Sequence, residues 1–282
     1  MTLRYGAVLS SLRSLRGEPT IASVQPAETI RYRRDAPRGA IAPLADVYVP
    51  AQPTGASVVL VHGGGFVIGS RRMKPMRYLT ARFVAAGIAV CAIDYRMIFR
   101  GGRLDEATTD VCDAFELWST KVPQLGLDPR AISLAGLSAG ATLSYLAAAR
   151  IDPERLAGIA CCFGLYEIDH LRGPAALLPR LLFGTRDRDA WTNRSPRFAA
   201  QPAVPTLLLH GGDDGLVPAE QARRLAAHRE SLGLATRLVI YEGVPHGFFN
   251  LPVPAADAGA RELIAHVRGT SQHAVDSNFC DD

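Results

Sequence analysis

A short apolar stretch that runs straight into a glycine-flanked serine constrains the fold more than any other part of the sequence. Residues 131–135 have the length and composition of a strand buried on both faces, and residues 141–149 form an alanine-rich segment typical of a buried helix. A strand that turns directly into a helix passes through a strained corner, where Gly136 and Gly140 give the backbone room. The sequence therefore predicts that Ser138 is exposed at this corner, beside a helix N-terminus, as the candidate nucleophile.

The rest of the chain alternates buried strands with helices at the spacing of βαβ units. The predicted strands cover 57–61, 88–93, 156–163, 206–209 and 237–241, and the predicted helices cover 76–86, 104–120, 219–232 and 256–268. Residues 28–34 and 44–49 alternate as half-exposed strands and predict an antiparallel pair at a sheet edge. These patterns predict one α/β domain over residues 1–282, with a mostly parallel central sheet flanked by helices.

Three segments fall outside this alternation. Residues 1–27 predict an N-terminal arm, and a helix over the mouth of the site and a helix simply packed on the body both remain open. Residues 164–201 contain prolines and a leucine-rich cluster and predict a cap insertion, either lining an acyl pocket or packed without substrate contact. Residues 269–282 are polar and predict a disordered tail.

Composition excludes several classes of function. The chain has 31 basic and 27 acidic residues, a formal net charge of +4, and only short basic clusters, so no nucleic-acid partner is expected. No stretch is apolar enough to predict a membrane span. The 5 cysteines show neither metal spacing nor a disulfide framework, which predicts no metal and a cytoplasmic location. No cofactor is expected, and the oligomeric state stays open, a homodimer included.

Three successive glycines follow the predicted strand 57–61. Gly63, Gly64 and Gly65 come directly after His62, where they weaken the strand end and contribute no packing. A tight glycine-rich loop would explain them, and so would the approach of a ligand oxygen to unshielded backbone N–H groups, as an oxyanion hole requires. We favour the second interpretation and expect His62 to shape this loop.

A serine hydroxyl needs an adjacent base, and the base needs an orienting carboxylate. Asp214 and His246 each lie in a loop directly after a predicted strand, as Ser138 does, so all three are expected at the carboxyl edge of one sheet. Asp214 is preferred to Asp213, which would point elsewhere, and His210 is expected to cap its loop by hydrogen bonding. The remaining histidines lack a strand-end position: His170, His228, His266 and His273.

These motifs resemble those of the α/β-hydrolase superfamily, over roughly residues 40–268. The resemblance is to esterases with a His-Gly-Gly-Gly motif, which include carboxylesterase, hormone-sensitive-lipase-like and acetylesterase relatives. It is carried by HGGG at 62–65, DYR at 94–96, GLSAG at 136–140, HGGDDGLVP at 210–218 and PHGF at 245–248. The resemblance implies an α/β-hydrolase fold, a catalytic triad of Ser138, Asp214 and His246, and an oxyanion hole formed by the backbone N–H groups of Gly64, Gly65 and Ala139.

The expected function is hydrolysis of a small carboxylic ester through an acyl-enzyme on Ser138. The modest insertion favours short to medium acyl chains, and activity should fall below about pH 6.5 because the base must be neutral. Two alternatives remain open from the sequence. One is an amidase or arylformamidase that uses the same triad, and the other is a non-catalytic binding protein that keeps the fold.

Overall fold

One eight-stranded sheet runs through the part of the chain that the computed structural model describes, which is residues 19, 21–33, 43–170 and 177–276. The strands are β1 (Glu28–Arg31), β2 (Leu44–Tyr48), β3 (Ser57–Val61), β4 (Ala89–Ile93), β5 (Ile132–Leu137), β6 (Gly158–Cys162), β7 (Thr206–Gly211) and β8 (Thr236–Tyr241). Their order across the sheet is β1-β2-β4-β3-β5-β6-β7-β8. The pairs β1–β2 and β2–β4 are antiparallel and the others are parallel, which confirms the predicted mostly parallel sheet with an antiparallel edge.

Helices cover both faces of the sheet. The helices are α1 (Lys74–Ala85), α2 (Leu104–Lys121), α3 (Ala139–Ala148), α4 (Leu177–Phe183), α5 (Arg188–Asn193), α6 (Glu220–Ser231) and α7 (Pro254–Asp276). Side chains of α1 and α7 pack on one face and those of α2, α3 and α6 on the other. Successive strand residues point to opposite faces, and helices cover both faces. The strands β3 to β7 are therefore buried along their whole length, and their sequences are largely continuous apolar runs.

The last helix is longer than the sequence predicts. We predict its end near residue 268 and a disordered tail from residue 269, yet residues 269–276 continue α7. Thr270 and Ser271 are buried, and the Ser271 hydroxyl donates to the carbonyl of Ala131 at 3.2 Å, while the Thr270 and Ser133 hydroxyls are 3.3 Å apart. The polar residues that suggested a tail therefore pack on the start of β5. The rest of the predicted tail, residues 277–282, lies outside the described residues.

The predicted cap insertion contains the short helices α4 and α5 between β6 and β7. Residues 171–176 of this segment lie outside the described part of the chain, as do residues 1–18 and 20 of the predicted N-terminal arm. Within the described residues, no helix combines the length and the apolar character that crossing a membrane requires. Cys91, Cys112, Cys161 and Cys162 are free thiols.

The sheet order brings the two glycine-containing motifs together. β3 and β5 are neighbours, and Val61 at the end of β3 is the register partner of Gly136 near the end of β5. The loop after β3 therefore lies beside the corner after β5. Loops after β7 and β8 reach the same edge, because these strands run parallel to β5.

Candidate active site

Ser138 occupies a strained corner between β5 and α3. Its φ of 52° and ψ of −116° lie in a region that residues with side chains rarely adopt. The Ser138 N–H donates to the carbonyl of Cys162 at 2.8 Å, and its own carbonyl begins the hydrogen bonds of α3. The strained conformation is thus held by β6 on one side and by the helix on the other.

The corner is closed by a very tight contact between backbones. A Cβ added to Gly140 would lie 2.3 Å from the Val61 carbonyl oxygen, and one added to Gly136 would lie 2.3 Å from the Gly140 carbonyl oxygen. No side chain fits at either place, so α3 can begin directly above β3 only with glycine at both positions. The predicted strand ends at residue 135. This is two residues too early, because β5 includes Gly136 and Leu137.

Ser138, His246 and Asp214 form one hydrogen-bonded series. The Ser138 Oγ lies 3.0 Å from His246 Nε2, and His246 Nδ1 lies 2.6 Å from Asp214 Oδ2. A carboxylate can only accept, so Nδ1 carries the proton and Nε2 is left to accept from the serine hydroxyl. The Asp214 side chain is fully buried, and the His246 side chain is 10% exposed. The three residues that the sequence singled out at three strand ends therefore come together.

Asp214 has hydrogen-bond donors at both carboxylate oxygens. Oδ1 accepts from the backbone N–H groups of Leu216 at 2.9 Å and Val217 at 2.8 Å. Oδ2, which faces His246, also lies 3.1 Å from Nε2 of the buried His210. Burial alone would raise the pKa of Asp214, but the hydrogen bonds from His210 and His246 outweigh it and hold this pKa well below its usual range. The carboxylate is therefore ionised.

His210 joins the loop that carries Asp214 to the site. Its Nε2 lies 2.9 Å from the carbonyl of Val217, so the expected capping of this loop is confirmed. The contact with Asp214 was not predicted. The sequence does show His210 four residues before Asp214 at a strand end, which could have suggested the contact. The two side chains meet only because of the turn at residues 211–214.

A phenylalanine that the sequence did not single out supports the histidine. The Phe163 ring meets the His246 ring edge-on with centroids 5.0 Å apart, and it meets Phe248 in the same way at 5.4 Å. Phe163 follows β6 with φ of 43°, a conformation that aromatic residues rarely adopt. Phe163 lies directly after β6, as Ser138 lies directly after the neighbouring strand β5. No pattern in the sequence predicts that this phenylalanine contacts the histidine.

The glycine loop after β3 lies against the serine corner. A Cβ added to Gly63 would lie 2.8 Å from the Leu137 carbonyl oxygen and 3.2 Å from Ser138 Cβ. Gly64 has φ of 120°, and a Cβ there would lie 1.8 Å from the carbonyl oxygen of Ile68, so only glycine fits. Gly65 has φ of 63°. No backbone hydrogen bond within the described chain uses the N–H of Gly64 or Gly65, or that of Ala139 at the start of α3.

His62 supports this loop from the buried side. Its Nδ1 donates to the carbonyl of Gly63 at 2.7 Å, and its ring stacks on Tyr95 with centroids 4.3 Å apart. Burial lowers the pKa of His62, so the ring is neutral. The Tyr95 hydroxyl donates to the His62 carbonyl at 3.2 Å. The expectation that His62 shapes the glycine loop rather than acting as a base agrees with these contacts.

The residues around Tyr95 tie the loop to the body of the protein. Asp94 accepts from the Arg71 backbone N–H at 2.7 Å and pairs with its guanidinium, whose Nε lies 3.0 Å from the buried Asp46. Arg96 makes a bidentate pair with Asp110 of α2, with Nη2 2.8 Å from Oδ1. Arg71 is therefore a structural ion-pair partner of two carboxylates.

The other candidates lie apart from this arrangement. The Asp213 side chain is exposed, and His228 and His273 lie on α6 and α7 away from the series described above. His266 is also on α7, and the side chain of His170 lies outside the described part of the chain. In the ranges that the structure describes, no group of histidine, cysteine and carboxylate side chains has an arrangement that could hold a metal.

Known proteins resemble this chain in sequence and in fold. The profile of the α/β hydrolase fold matches residues 58–250, which includes the glycine loop, the serine corner, Asp214 and His246. The chain belongs to the α/β hydrolase fold family. Among solved structures, the hyperthermophilic esterase from the archaeon Pyrobaculum calidifontis matches with a TM-score of 0.73 and 24% identity, covering 95% of this chain and 92% of that one. This similarity shows the fold.

The chain aligns with only part of the length of its curated relatives. The isoprenylcysteine alpha-carbonyl methylesterase of Arabidopsis thaliana is 26% identical over 228 residues, which are 71% of this chain and 53% of the relative. The ethyl acetate hydrolase of Pseudomonas putida is 26% identical over 245 residues, which are 78% of this chain and 74% of the relative. This α/β hydrolase chain thus spans about half the length of the plant relatives that it matches.

Proposed function

We propose that the protein is a serine hydrolase that cleaves carboxylic esters through an acyl-enzyme on Ser138. The observation that carries this proposal is the hydrogen-bonded series from Asp214 through His246 to the Ser138 hydroxyl, with distances of 2.6 and 3.0 Å. A non-catalytic protein has no need of a histidine held between an ionised carboxylate and a strained serine. Relatives named as a methylesterase and an ethyl acetate hydrolase support an ester as the substrate.

In the first step, the Ser138 oxygen attacks the ester carbonyl carbon while His246 Nε2 accepts the hydroxyl proton. The resulting imidazolium is stabilised by Asp214, which remains ionised. His246 then returns the proton to the leaving alcohol, and the acyl group stays on Ser138. A water molecule, activated by the same histidine, hydrolyses the acyl-enzyme and restores the serine hydroxyl.

The negative charge of the tetrahedral intermediate falls on the former carbonyl oxygen. We assign its stabilisation to the backbone N–H groups of Gly64, Gly65 and Ala139, which border the Ser138 corner and have no backbone acceptor within the described chain. Removing one such donor typically costs about 3–4 kcal/mol of transition-state stabilisation. The closely packed glycine loop holds two of these donors in place before the substrate arrives.

We expect short to medium acyl chains to be preferred, because the insertion between β6 and β7 contributes only the short helices α4 and α5 in its described part. A panel of p-nitrophenyl esters from acetate to palmitate tests this preference. Rates that rise steadily up to the longest chain would contradict it. Matched anilides and formanilides in the same panel test the amidase and arylformamidase alternative.

The test of the reaction itself is covalent labelling combined with hydrolysis of p-nitrophenyl acetate. The native protein should react with a fluorophosphonate probe and hydrolyse the ester, and Ser138→Ala should do neither. Ser144→Ala is the matched control, because Ser144 is a buried serine on the same helix whose hydroxyl has no hydrogen-bond partner among the described residues. Full esterase activity in Ser138→Ala would overturn the proposal.

A further inference from the structure

A cavity of about 550 Å³ lies between the segment that follows β4 and the insertion that follows β6. Its walls come from Ile98 and Phe99, from Arg103 just before α2, and from α4 with the residues that follow it. This volume is within the range of small-molecule binding sites. The mechanism proposed above assigns no role to these residues.

The cavity lies on the edge of the sheet where the reaction is proposed to take place. β4 and β6 flank the central pair β3 and β5, whose ends carry the glycine loop and Ser138. The Ile98 N–H donates to the carbonyl of Phe66, the residue directly after Gly65, at 2.9 Å. One wall of the cavity is therefore hydrogen-bonded to the glycine loop.

Three arginines line the cavity: Arg103, Arg180 and Arg186. Guanidinium groups stay charged at any physiological pH, and three of them around one cavity repel one another. Within the described ranges, none of the three has a carboxylate partner. The acids near Arg103 on α2 are engaged elsewhere, since Asp105 pairs with Arg150 and Arg194, and the Glu106 carboxylate accepts from the Arg103 backbone N–H.

The position of Arg103 is set by the end of α4. A Cβ added to Gly184, which has φ of 68°, would lie 2.2 Å from Arg103 Nη1, so this guanidinium lies against the main chain that ends the helix. It therefore reaches across from the start of α2 to the opposite wall. The Arg103 side chain is exposed, and this contact places its positive charge at the cavity wall.

The remaining walls are apolar and partly open to solvent. Ile98 and Leu181 are half-buried, whereas Phe99 is 69% exposed and Leu177 is 57% exposed. Exposed side chains of this size beside unpaired arginines favour a ligand with both a hydrocarbon part and an anionic group. A neutral ester would satisfy only the apolar half of these walls.

We propose that the cavity binds the anionic group of an amphipathic ester, a carboxylate or phosphate separated from the scissile bond by a short hydrocarbon chain. This inference rests on the proposed ester hydrolysis and narrows its substrate class. The three arginines bind the anion, and the apolar walls contact the chain.

The first test is direct binding of octanoate and octyl phosphate by calorimetry, with octanol as the uncharged control. Both anions should bind the native protein and octanol should not. Arg103→Gln, Arg180→Gln and Arg186→Gln should each weaken binding about fivefold, the effect of losing one solvent-exposed ion pair. The matched control is Arg130→Gln. Arg130 is an exposed arginine that precedes β5, at the amino ends of the parallel strands, so its replacement should leave binding unchanged.

The second test connects the cavity to the reaction. Octanoate should inhibit hydrolysis of p-nitrophenyl hexanoate competitively, and the mono-p-nitrophenyl ester of adipic acid should have a lower KM than that neutral ester. The arginine substitutions should remove this difference. Octanol binding as tightly as octanoate, unchanged binding in all three variants, or non-competitive inhibition would overturn the inference.

These outcomes separate the two proposals. A protein that hydrolyses neutral esters but binds no octanoate would retain the proposed function and lose the anion site. A protein that binds octanoate through the three arginines but hydrolyses no ester would lose the proposed function instead.

Discussion

Replacing Gly140 with alanine tests whether the contact between β3 and α3 positions Ser138, the proposed nucleophile. The added Cβ would lie 2.3 Å from the carbonyl oxygen of Val61 and 2.5 Å from that of His62. Cβ atoms in folded proteins essentially never approach backbone this closely, and both neighbours are buried. The start of α3 must therefore move away from β3 by about 1 Å to reach ordinary van der Waals contact.

The magnitude follows from that displacement. Forcing an extra carbon into a well-packed interior costs typically about 1–3 kcal/mol. In a chain of this size the melting temperature falls by roughly 2–4 °C for each kcal/mol, so we expect a decrease of about 2–12 °C. The same movement separates Ser138 and the Ala139 N–H from the glycine loop, and a misplacement of about 1 Å can lower the rate of a reaction ~100-fold.

The assay combines thermal unfolding with kcat/KM for p-nitrophenyl acetate. Gly126→Ala is the control, because Gly126 has φ of 73° and a Cβ there would meet nothing within 4 Å. This control introduces the strain of a left-handed alanine without a clash, so it should lose stability. Residue 126 precedes β5, at the end of the strand away from Ser138, so the control should keep its activity. A Gly140→Ala variant with native melting temperature and native kcat/KM would refute the reasoning.

Two further predictions concern histidines outside the Ser138–His246 pair. His210→Phe removes the donor shared by Val217 and Asp214, so kcat should fall ~10-fold with little change in KM, and His210→Gln should recover part of the loss, as steady-state kinetics would show. Burial lowers the pKa of His266 to about 4, so the unfolded chain binds the extra proton between that pH and about 6.5. The free energy of unfolding should therefore fall by up to about 3 kcal/mol from pH 7 to pH 4 in urea titrations, and His266→Asn should reduce this slope; parallel profiles for the two proteins would contradict the assignment.

The strand ends could be predicted because buried parallel strands have a composition of their own. β3, β5 and β7 are short buried runs and β8 is a half-buried one, and glycines lie at or just after the end of each strand. Parallel strands deliver their carboxyl ends to one edge, so Ser138, Asp214 and His246 could be assigned to one site without coordinates. The separation of the three residues along the chain carried no information about their distance in space.

Contacts between distant residues could not be predicted in the same way. Arg71 and Arg72 look alike in the sequence, yet Arg71 pairs with both Asp46 of β2 and Asp94 after the neighbouring β4. Its side chain is 11% exposed, against 52% for Arg72. The helical residues 269–276 were also missed, because the polarity of Thr270 suggested solvent while its hydroxyl meets Ser133. Both cases involve polar groups whose partners are far away in sequence.

The ion pairs around Arg71 help to hold the loop of three glycines, which we propose as the donor site for the oxyanion. Glycines alone would leave the backbone free to move, and aligning the N–H groups of Gly64 and Gly65 during the reaction would then cost free energy. The loop is instead held from two sides, by His62 on Gly63 and by Arg71 between Asp94 and the buried Asp46. The cost of ordering the glycines is therefore met when the protein folds, by buried ion pairs that need not take part in catalysis. The N–H groups of the proposed donor site are in place before a substrate binds.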